Sequence, residues 1–361
     1  MKYTLRKVKH FAASTLKLAK KYVRLHRKHV LEFPKTIQLP ITFACNFDCV
    51  MCGMHHMTGR KSFTAAELRT ILQDKLFREV TTVGVNGGEP FLKNDLTECI
   101  TAMAETLPKL HSFSFISNGY FTDIILAKLR EIRTVCRKHN ILLHLSLSID
   151  GVGDMQDFHR GCSGAWAHVK DTMTRILQDR GSYVDSLDII CTITRHNIDR
   201  INEVEAWAES IGVKVAYNIA TENVRIENQD KVKDFSVLHD EEARMLTQEF
   251  FYSQYLKTGS EKFYAIYLYL QTGRRYAPCP CMYNEWITLT PDSQIGFCAT
   301  RSKNLGSGLE RSAYDIVREN LPYLQELREK FCSTCSHYMY ELDMEGMRLM
   351  FEDRYRNVFI R

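Results

Sequence analysis

Short β-rich runs alternate with longer helical patterns along most of this chain, and this alternation constrains its fold more than any other feature. Most of the runs are almost continuously apolar, which is typical of a parallel sheet covered on both faces. Six such runs occupy residues 36–42, 80–86, 111–117, 141–149, 187–194 and 213–218. Helical patterns lie between them, at residues 64–77, 93–107, 122–138, 165–180 and 200–211.

Right-handed βα crossovers would wind these six strands into one curved parallel sheet. Six units are too few to close the eight-stranded barrel. The pattern therefore predicts an α/β fold, a partial (β/α)6 barrel of the TIM type. Its chemistry is expected at the carboxyl ends of the strands, where barrel enzymes carry their active sites.

The distinctive short motifs of the chain follow the predicted strands. In chain order they are the cysteine loop 45–52, Asn86-Gly-Gly-Glu-Pro90, Ser117-Asn-Gly119, Ser146–Gly151 and Arg195-His-Asn197. Since the ends of parallel strands meet at one end of a barrel, we expect these motifs to form one site.

Three cysteines in the first of these loops have the spacing Cys-x3-Cys-x2-Cys, at Cys45, Cys49 and Cys52. A cubane iron–sulfur cluster has four irons, so three thiolates leave one iron without a protein ligand. An open coordination position of this kind is where a metal centre does chemistry. A zinc site, with His55 or His56 as the fourth ligand, is the alternative.

The second loop contains two glycines followed by Glu89 and Pro90. Glycine permits backbone angles closed to other residues and a close approach to a ligand. The residue before a proline is held in an extended conformation. Such a loop can offer carbonyl groups to an ammonium group.

Together these motifs resemble the radical S-adenosylmethionine (radical SAM) superfamily over residues 37–220. In that family three cysteines hold a 4Fe–4S cluster, and the methionine end of S-adenosylmethionine (SAM) binds the open iron. Reductive cleavage of SAM then releases a 5′-deoxyadenosyl radical, which takes a hydrogen atom from the substrate. The resemblance implies a low-potential electron donor of the flavodoxin or ferredoxin type as partner.

The resemblance also assigns residues to this cofactor. It implies that Cys45, Cys49 and Cys52 hold the cluster, while the further cofactor-binding candidates are Gly87, Gly88, Glu89, Pro90, Asn118, Ser148, Asp150, Arg160 and Met51. Arg160 suits a carboxylate group, and a surface salt bridge is its alternative. Met51 stands where the family often has an aromatic residue against the adenine.

A second cysteine-rich segment begins at residue 278, with a predicted β-hairpin over residues 287–298 and a helix over residues 313–330. Four thiolates can enclose a 4Fe–4S cluster or a zinc ion. The segment resembles the SPASM extension or its shorter twitch form, although Ser293 replaces the usual glycine. The resemblance implies one auxiliary 4Fe–4S cluster in this cysteine-rich α+β domain, with the ligands Cys281, Cys298, Cys332 and Cys335, and Cys279 as the alternative to Cys281.

The amino-terminal residues have a distinct charge. Residues 1–31 contain ten Lys or Arg and no Asp or Glu, interleaved with apolar residues. We predict a basic amphipathic helix over residues 1–36. It either contacts an anionic membrane surface or an acidic partner, or is a solvated helix packed on its own domain. The remaining domains are predicted as the core at 37–220, a helical bridge at 221–277 and the auxiliary domain at 278–361.

Composition limits the cellular setting and the partners. The chain has twelve cysteines, no signal peptide, and no apolar run near the roughly 20 residues of a membrane-spanning helix. A reducing cytoplasm is therefore expected, with peripheral membrane contact through residues 1–31 as an option. After residue 31 the chain has no basic stripe interleaved with aromatic residues, so nothing there indicates that it binds nucleic acid.

The expected function is a two-electron oxidation, such as dehydrogenation, of a small-molecule or carbohydrate-like substrate. Maturation of a peptide natural product by cross-linking or epimerisation is the first alternative. Some epimerases of the family return a hydrogen atom from a cysteine, and Cys162 and Cys191 are the candidates for that role. A non-catalytic iron–sulfur electron carrier or a zinc-stabilised binding module is the alternative of another class.

Overall fold

The computed structural model describes residues 32–337 and 339–359, together with the isolated residues Leu16, Lys20 and Val23. The predicted basic helix, and any membrane contact through it, thus lies almost wholly outside the described residues. The described chain forms two compact units, one of residues 33–246 and 285–320, the other of residues 247–284 and 321–359. Within these ranges, no helix has the length and apolar character needed to cross a bilayer.

The first unit is built on six parallel strands that pair in chain order, which confirms the predicted α/β fold. The strands are β1 (Thr36–Pro40), β2 (Thr82–Asn86), β3 (Ser112–Ser117), β4 (Leu142–Ser148), β5 (Ser186–Ile193) and β6 (Val215–Ile219). The connections contain α1 (Ala65–Leu72), α2 (Leu96–Thr106), α3 (Thr122–His139), α4 (Asp154–Arg160), α5 (Ala165–Gln178), α6 (Arg180–Tyr183) and α7 (Ile201–Ser210). Helix α8 (Val232–Phe235) follows β6.

Capping groups set the bounds of the first helix. The Thr64 side chain accepts a hydrogen bond from the Glu67 N–H, and the Glu67 carboxylate accepts one from the Thr64 N–H. This capping box starts α1 where the sequence predicts. The predicted helix over 64–77 ends early because Asp74 caps a separate 3-10 turn, Lys75–Phe77.

The two faces of the sheet differ in polarity, contrary to the expectation of apolar residues on both. One face buries alternate residues such as Leu143, Leu145 and Leu147. On the other face, one row of residues that pair from strand to strand contains only polar or small side chains. Beginning in a strand beside β1 and ending in β5, the row is Thr288, Gln38, Gly84, Ser114, His144 and Ser186. Because most of this polar face is only half-buried, it remains accessible to a ligand.

A β-hairpin near the carboxyl terminus extends the same sheet. Strand β7 (Trp286–Leu289) pairs in parallel with β1, and β8 (Gln294–Gly296) and β9 (Gly306–Ser307) follow in antiparallel order. The predicted hairpin is thus confirmed. The hairpin belongs to the first unit, however, because β7 forms its hydrogen bonds with the edge of β1 that does not face β2. The two compact units therefore do not divide the chain at the predicted boundary, residue 278.

Ser293 in the hairpin turn adopts a left-handed backbone, with φ of 67°. Its N–H donates to the Thr290 carbonyl at 2.9 Å, and its own carbonyl accepts from the Gly308 N–H at 2.9 Å. Left-handed angles favour glycine because a Cβ atom crowds the following carbonyl. The turn thus explains why the family pattern places glycine here. Ser293 adopts the same backbone geometry, but its Cβ atom introduces backbone strain that lowers the stability of the fold.

The second unit contains much of α9 (Glu241–Thr258), together with α10 (Glu261–Thr272), α12 (Leu321–Lys330) and α13 (Met344–Phe359). The sequence predicts one helix over residues 313–330, but the structure has two, α11 (Ala313–Glu319) and α12. Pro322 explains the break, because it has no N–H for the Arg318 carbonyl and its ring would clash with that group.

Substitutions at Ser293 test the strain in the turn. Ser293→Val should lower the free energy of unfolding by about 1–2 kcal/mol, because a β-branched residue is poorly tolerated at positive φ. Ser293→Asn, which accepts this backbone, is the control and should have little effect. Urea denaturation followed by circular dichroism measures both, and equal stability of the Val and Asn variants would contradict the assignment.

Candidate active site

The three predicted cluster ligands lie in one compact loop after β1. Cys49 is buried, and Cys45 and Cys52 are half-buried. The Cys52 N–H donates to the Cys49 carbonyl at 3.0 Å, and the Met54 N–H points to the Cys52 sulfur at 3.4 Å. The loop therefore holds the three thiols through its own backbone.

Burial raises the pKa of Cys45 and of Cys49 to about 12, and it also raises the pKa of Cys52. Such thiols stay protonated until a metal displaces the proton. Within the described part of the chain, no three His, Cys, Asp or Glu side chains converge on one ion position. A cubane cluster does not require that convergence, because each thiolate binds a different iron, and the donor set thus fits an iron–sulfur cluster.

The loop after β2 packs directly against the segment that leads into the cysteine loop. The Gly88 N–H donates to the Thr42 carbonyl at 2.9 Å, and the Glu89 N–H donates to the Ala44 carbonyl at 2.8 Å. A Cβ atom on Gly88 would lie 2.1 Å from the Ala44 oxygen, and one on Gly87 would lie 2.6 Å from the Thr42 oxygen. The glycines thus serve a close approach between two chain segments, whereas the sequence suggested an approach to a ligand.

The Glu89 carboxylate is fully buried and joins the loops after β2 and β3. It accepts hydrogen bonds from the Ser117 hydroxyl at 2.9 Å, the Asn118 N–H at 2.8 Å and the Phe91 N–H at 3.1 Å. Burial nevertheless raises its pKa to about 7. Since its side chain contacts protein groups, Glu89 serves to position Asn118, whose amide donates to Asn46 Oδ1 at 2.8 Å.

Two buried polar atoms beside these loops have no hydrogen-bond partner in the described structure. They are Asn46 Nδ2, between Cys45 and Cys49, and Asn86 Oδ1, at the end of β2. Buried polar atoms in proteins are normally satisfied. An unpaired donor in the cysteine loop and an unpaired acceptor at the end of β2 suit a ligand that carries both an amine and a carboxylate, as SAM does.

Asp150, at the end of β4, forms a buried ion pair with Arg160 at 2.7 Å. A second contact, at 2.8 Å, joins the Asp150 carboxylate to His159 Nδ1. Although burial would raise the pKa of Asp150, Arg160 and His159 hold it below its ordinary value. Arg160 is 8% exposed, so the surface salt bridge proposed as an alternative is wrong.

Arg160 also approaches the cysteine loop, where its Nη1 lies 3.9 Å from the Cys49 sulfur. Asp150, Arg160 and Cys49, one of the predicted cluster ligands, are thus brought together. The guanidinium is engaged by Asp150 and Cys49, so these two contacts set its position.

The sequence did not identify Gln156 and His159, which support this ion pair, although it placed Asn197 in a motif expected at the site. His159 Nε2 lies 2.9 Å from the Thr194 hydroxyl, and Asn197 Nδ2 donates to the Asp150 carbonyl at 2.8 Å. Gln156 accepts from the Asp150 N–H and donates to the Ser148 carbonyl. The spacing of Gln156, His159 and Arg160 along one helical face was a usable signal, but α4 itself was not predicted.

The two candidate hydrogen donors occupy different surroundings. Register pairs Ser148 with Ile190, so the neighbouring Cys191 points to the apolar face, where it has no exposed surface. That position does not support a hydrogen-donor role for Cys191. Cys162 is half-buried and packs, together with Met51, in the apolar cluster that surrounds the cysteine loop.

In the second unit, two arginines tie together the segments that carry the carboxyl-terminal cysteines. Arg275 donates to the Cys335 carbonyl at 2.8 Å, and Arg328 donates to the Met282 carbonyl at 2.7 Å. A hydrogen bond with Cys281 lowers the pKa of Cys279 to about 6, against the effect of burial. Cys298 belongs to the first unit, where its sulfur lies 3.4 Å from the Arg301 N–H.

Residues 39–208 match the family model described as the Radical SAM superfamily. The chain has a radical SAM domain. Such proteins bind a 4Fe–4S cluster and SAM, and the carboxyl-terminal cysteine-rich region fits a SPASM-like domain.

Solved structures show the same fold. The structure of anSMEcpe with bound AdoMet and Cp18Cys peptide has a TM-score of 0.61, with 14% identity over 90% of this chain and 99% of that chain. Streptococcus suis SuiB bound to the precursor peptide SuiA has a TM-score of 0.60, with 15% identity over 87% of this chain and 70% of that chain.

Among curated proteins, the probable GTP 3′,8-cyclase of Sulfolobus acidocaldarius is 24% identical over 50% of this chain. The GTP 3′,8-cyclase of Vibrio cholerae serotype O1 is 33% identical over 32% of this chain. The matches span 59% and 34% of these relatives' lengths.

The close approach of the two loops can be tested at Gly88. In Gly88→Ala the added methyl group would meet the Ala44 carbonyl and displace the cysteine loop. After anaerobic reconstitution, the variant should contain about four fewer irons per chain than the unaltered protein, because one 4Fe–4S cluster is lost. Gly181→Ala is the matched control, because nothing lies within 4 Å of its Cβ position. Full iron content in Gly88→Ala would contradict this account of the site.

Proposed function

We propose that this radical SAM enzyme carries out a two-electron oxidation, such as dehydrogenation, of a small-molecule substrate. The observation that carries the proposal is the single assembly formed by the cysteine loop, the Gly87–Glu89 loop and Asn118. When bound, the cluster and SAM supply the radical that takes a hydrogen atom from a substrate C–H bond. A flavodoxin- or ferredoxin-type protein would deliver the electron.

The residues of the chain have separate tasks in this proposal. Cys45, Cys49 and Cys52 hold the cluster, and Arg160 donates toward the Cys49 sulfur while Asp150 keeps it in place. Asn46 and Asn86 offer unpaired polar atoms to the methionine end of SAM. Ser148, at the end of β4 on the polar face, is available to the rest of the cofactor.

The carboxyl-terminal cysteines would hold an auxiliary 4Fe–4S cluster that accepts the second electron from the substrate radical. The proposed ligands are Cys281, Cys298, Cys332 and Cys335. Cys279 competes with Cys281 for this role, because the hydrogen bond between the two thiols lowers the pKa of Cys279 and so favours its thiolate form, which binds metal. A structural zinc is the other occupant that four thiolates suit.

Substrates of two classes compete. The curated relatives are named as cyclases of a nucleotide, which favours a small molecule. Two structural relatives were solved with peptides, which supports peptide modification as the second candidate. A half-buried thiol beside the cysteine loop, Cys162, would serve an epimerisation of that second kind.

SAM cleavage is the first test. The reconstituted protein with a chemical reductant should convert SAM to 5′-deoxyadenosine and methionine, and Cys49→Ala should abolish this because one cluster ligand is lost. Cys136→Ala, a buried cysteine within α3, is the matched control and should retain cleavage. Product is measured by liquid chromatography. Equal cleavage by the Cys49 and Cys136 variants would remove the catalytic assignment and favour an electron carrier.

The auxiliary site is tested by metal analysis of Cys335→Ala. The unaltered protein should hold about eight irons per chain, and the variant about four. The electron paramagnetic resonance signal of the SAM-binding cluster should persist in the variant. Loss of one zinc, with iron unchanged at about four, would show a structural zinc instead.

A further inference from the structure

The carboxyl end of helix α4 is packed tightly against the cysteine loop. The Val50 N–H donates to the His159 carbonyl at 3.1 Å. Gly161 ends the helix with φ of 59°, and a Cβ atom there would lie 2.0 Å from the Asp48 carbonyl oxygen. These two backbone contacts hold the end of the helix against the middle of the loop.

Arg160 lies at this contact and brings its charge to a cluster ligand. Its Nη1 donates to the Cys49 sulfur at 3.9 Å, and its Nη2 lies 2.7 Å from the Asp150 carboxylate. A guanidinium does not lose its proton in a protein, and water and salt screen a buried charge much less than an exposed one. A permanent positive charge therefore lies beside Cys49, protected from screening.

The charge of Arg160 acts on the sulfurs of all three predicted ligands. Burial raises the pKa of Cys49 to about 12, and Arg160 is the strongest influence in the opposite direction. Burial also raises the pKa of Cys45 and of Cys52, and Arg160 opposes it there too. Asp150 raises the pKa of Cys49, but its effect is smaller than that of Arg160. The net effect of the ion pair is thus to favour negative charge on the Cys49 sulfur.

Negative charge on these sulfurs matters for electron transfer. Reduction adds one electron to a 4Fe–4S cluster, and its ligand sulfurs share the added charge. Hydrogen bonds to the sulfurs and the net charge around a cluster set its reduction potential. A buried cation that donates to a ligand sulfur stabilises the reduced form, whereas a carboxylate nearby destabilises it.

We propose that Arg160 raises the reduction potential of the cluster held by Cys45, Cys49 and Cys52, and that Asp150 both holds the guanidinium and moderates its effect. The inference rests on the cluster assignment in the proposed function and deepens it, because it makes Arg160 a determinant of how readily this cluster accepts its electron. Arg160 acts through the Cys49 sulfur, so this role is separate from any contact with SAM.

A redox titration at one fixed pH tests this role. The full chain is reconstituted without oxygen, SAM is left out, and the reduced cluster is followed by electron paramagnetic resonance. The relevant signal is the one that Cys49→Ala abolishes, which distinguishes it from an auxiliary cluster. In Arg160→Gln, the ratio of reduced to oxidised cluster at a given potential should fall about tenfold, equivalent to about 59 mV for one electron. Arg160→Lys keeps the charge and should recover more than half of this shift.

Asp150→Asn distinguishes the effect of charge from structural damage. The amide keeps the shape of the side chain and removes the charge that opposes Arg160, so the ratio of reduced to oxidised cluster should rise. A merely structural role would move the potential in the same direction in both variants. Arg311→Gln, which removes an exposed charge paired with Glu319, is the control and should titrate as the unaltered protein does.

Two outcomes would overturn the proposal. One is an equal potential in Arg160→Gln and the unaltered protein, and the other is a shift of the same sign in Arg160→Gln and Asp150→Asn. Iron content, measured on each sample, shows that the variants carry the cluster. If the unaltered protein has no signal that depends on Cys49, the cluster assignment itself is overturned, so the two failures are distinguishable.

Discussion

The contact between the Gly87–Glu89 loop and residues 42–44 is the interaction on which the candidate site depends. Two backbone hydrogen bonds join the segments at 2.9 and 2.8 Å, with no room for a side chain at Gly88. Through this contact the thiol loop is fixed to β2, and through the Glu89 carboxylate it is fixed to the loop after β3. These contacts fix the backbone of the cysteine loop to the strands that carry the rest of the candidate site.

The ion pair between Asp150 and Arg160 shows a second requirement of the same site. Removing two charges from water costs several kcal/mol per ion, and buried pairs are often less stabilising than well-packed apolar residues. This pair is kept because Gln156, His159 and Asn197 satisfy the remaining polar groups around Asp150. The ion pair places a permanent positive charge, the Arg160 guanidinium, beside Cys49, where a thiolate and a bound cluster would add negative charge.

The strands and the motif loops could be predicted because each depends on local sequence, namely apolar runs and the Thr64 capping box. Other features depend on partners distant in the chain. Nothing local shows that β7 joins the edge of β1, or that the glycines at 87 and 88 accommodate Thr42 and Ala44. Helix α4 has only seven residues, too few to show a clear period, so its supporting residues were missed. The break at Pro322, by contrast, is a local signal, because a proline inside a helix has no N–H for the carbonyl four residues before it.

The pairing of β7 with β1 has a consequence beyond the size of the sheet. Through this pairing, the row of polar or small residues on the barrel strands extends to Thr288. A residue from the carboxyl-terminal part of the chain therefore lies beside the segment that follows β1. The left-handed turn at Ser293 then reverses the chain, so that Cys298 lines the cleft of about 250 Å³ that Phe43, Met57 and Thr288 also line. Residues 285–320 therefore complete the sheet and form one wall of the cleft. This is why Phe43 and Met57, which flank the cysteine loop, and the hairpin face a common space within a single compact unit.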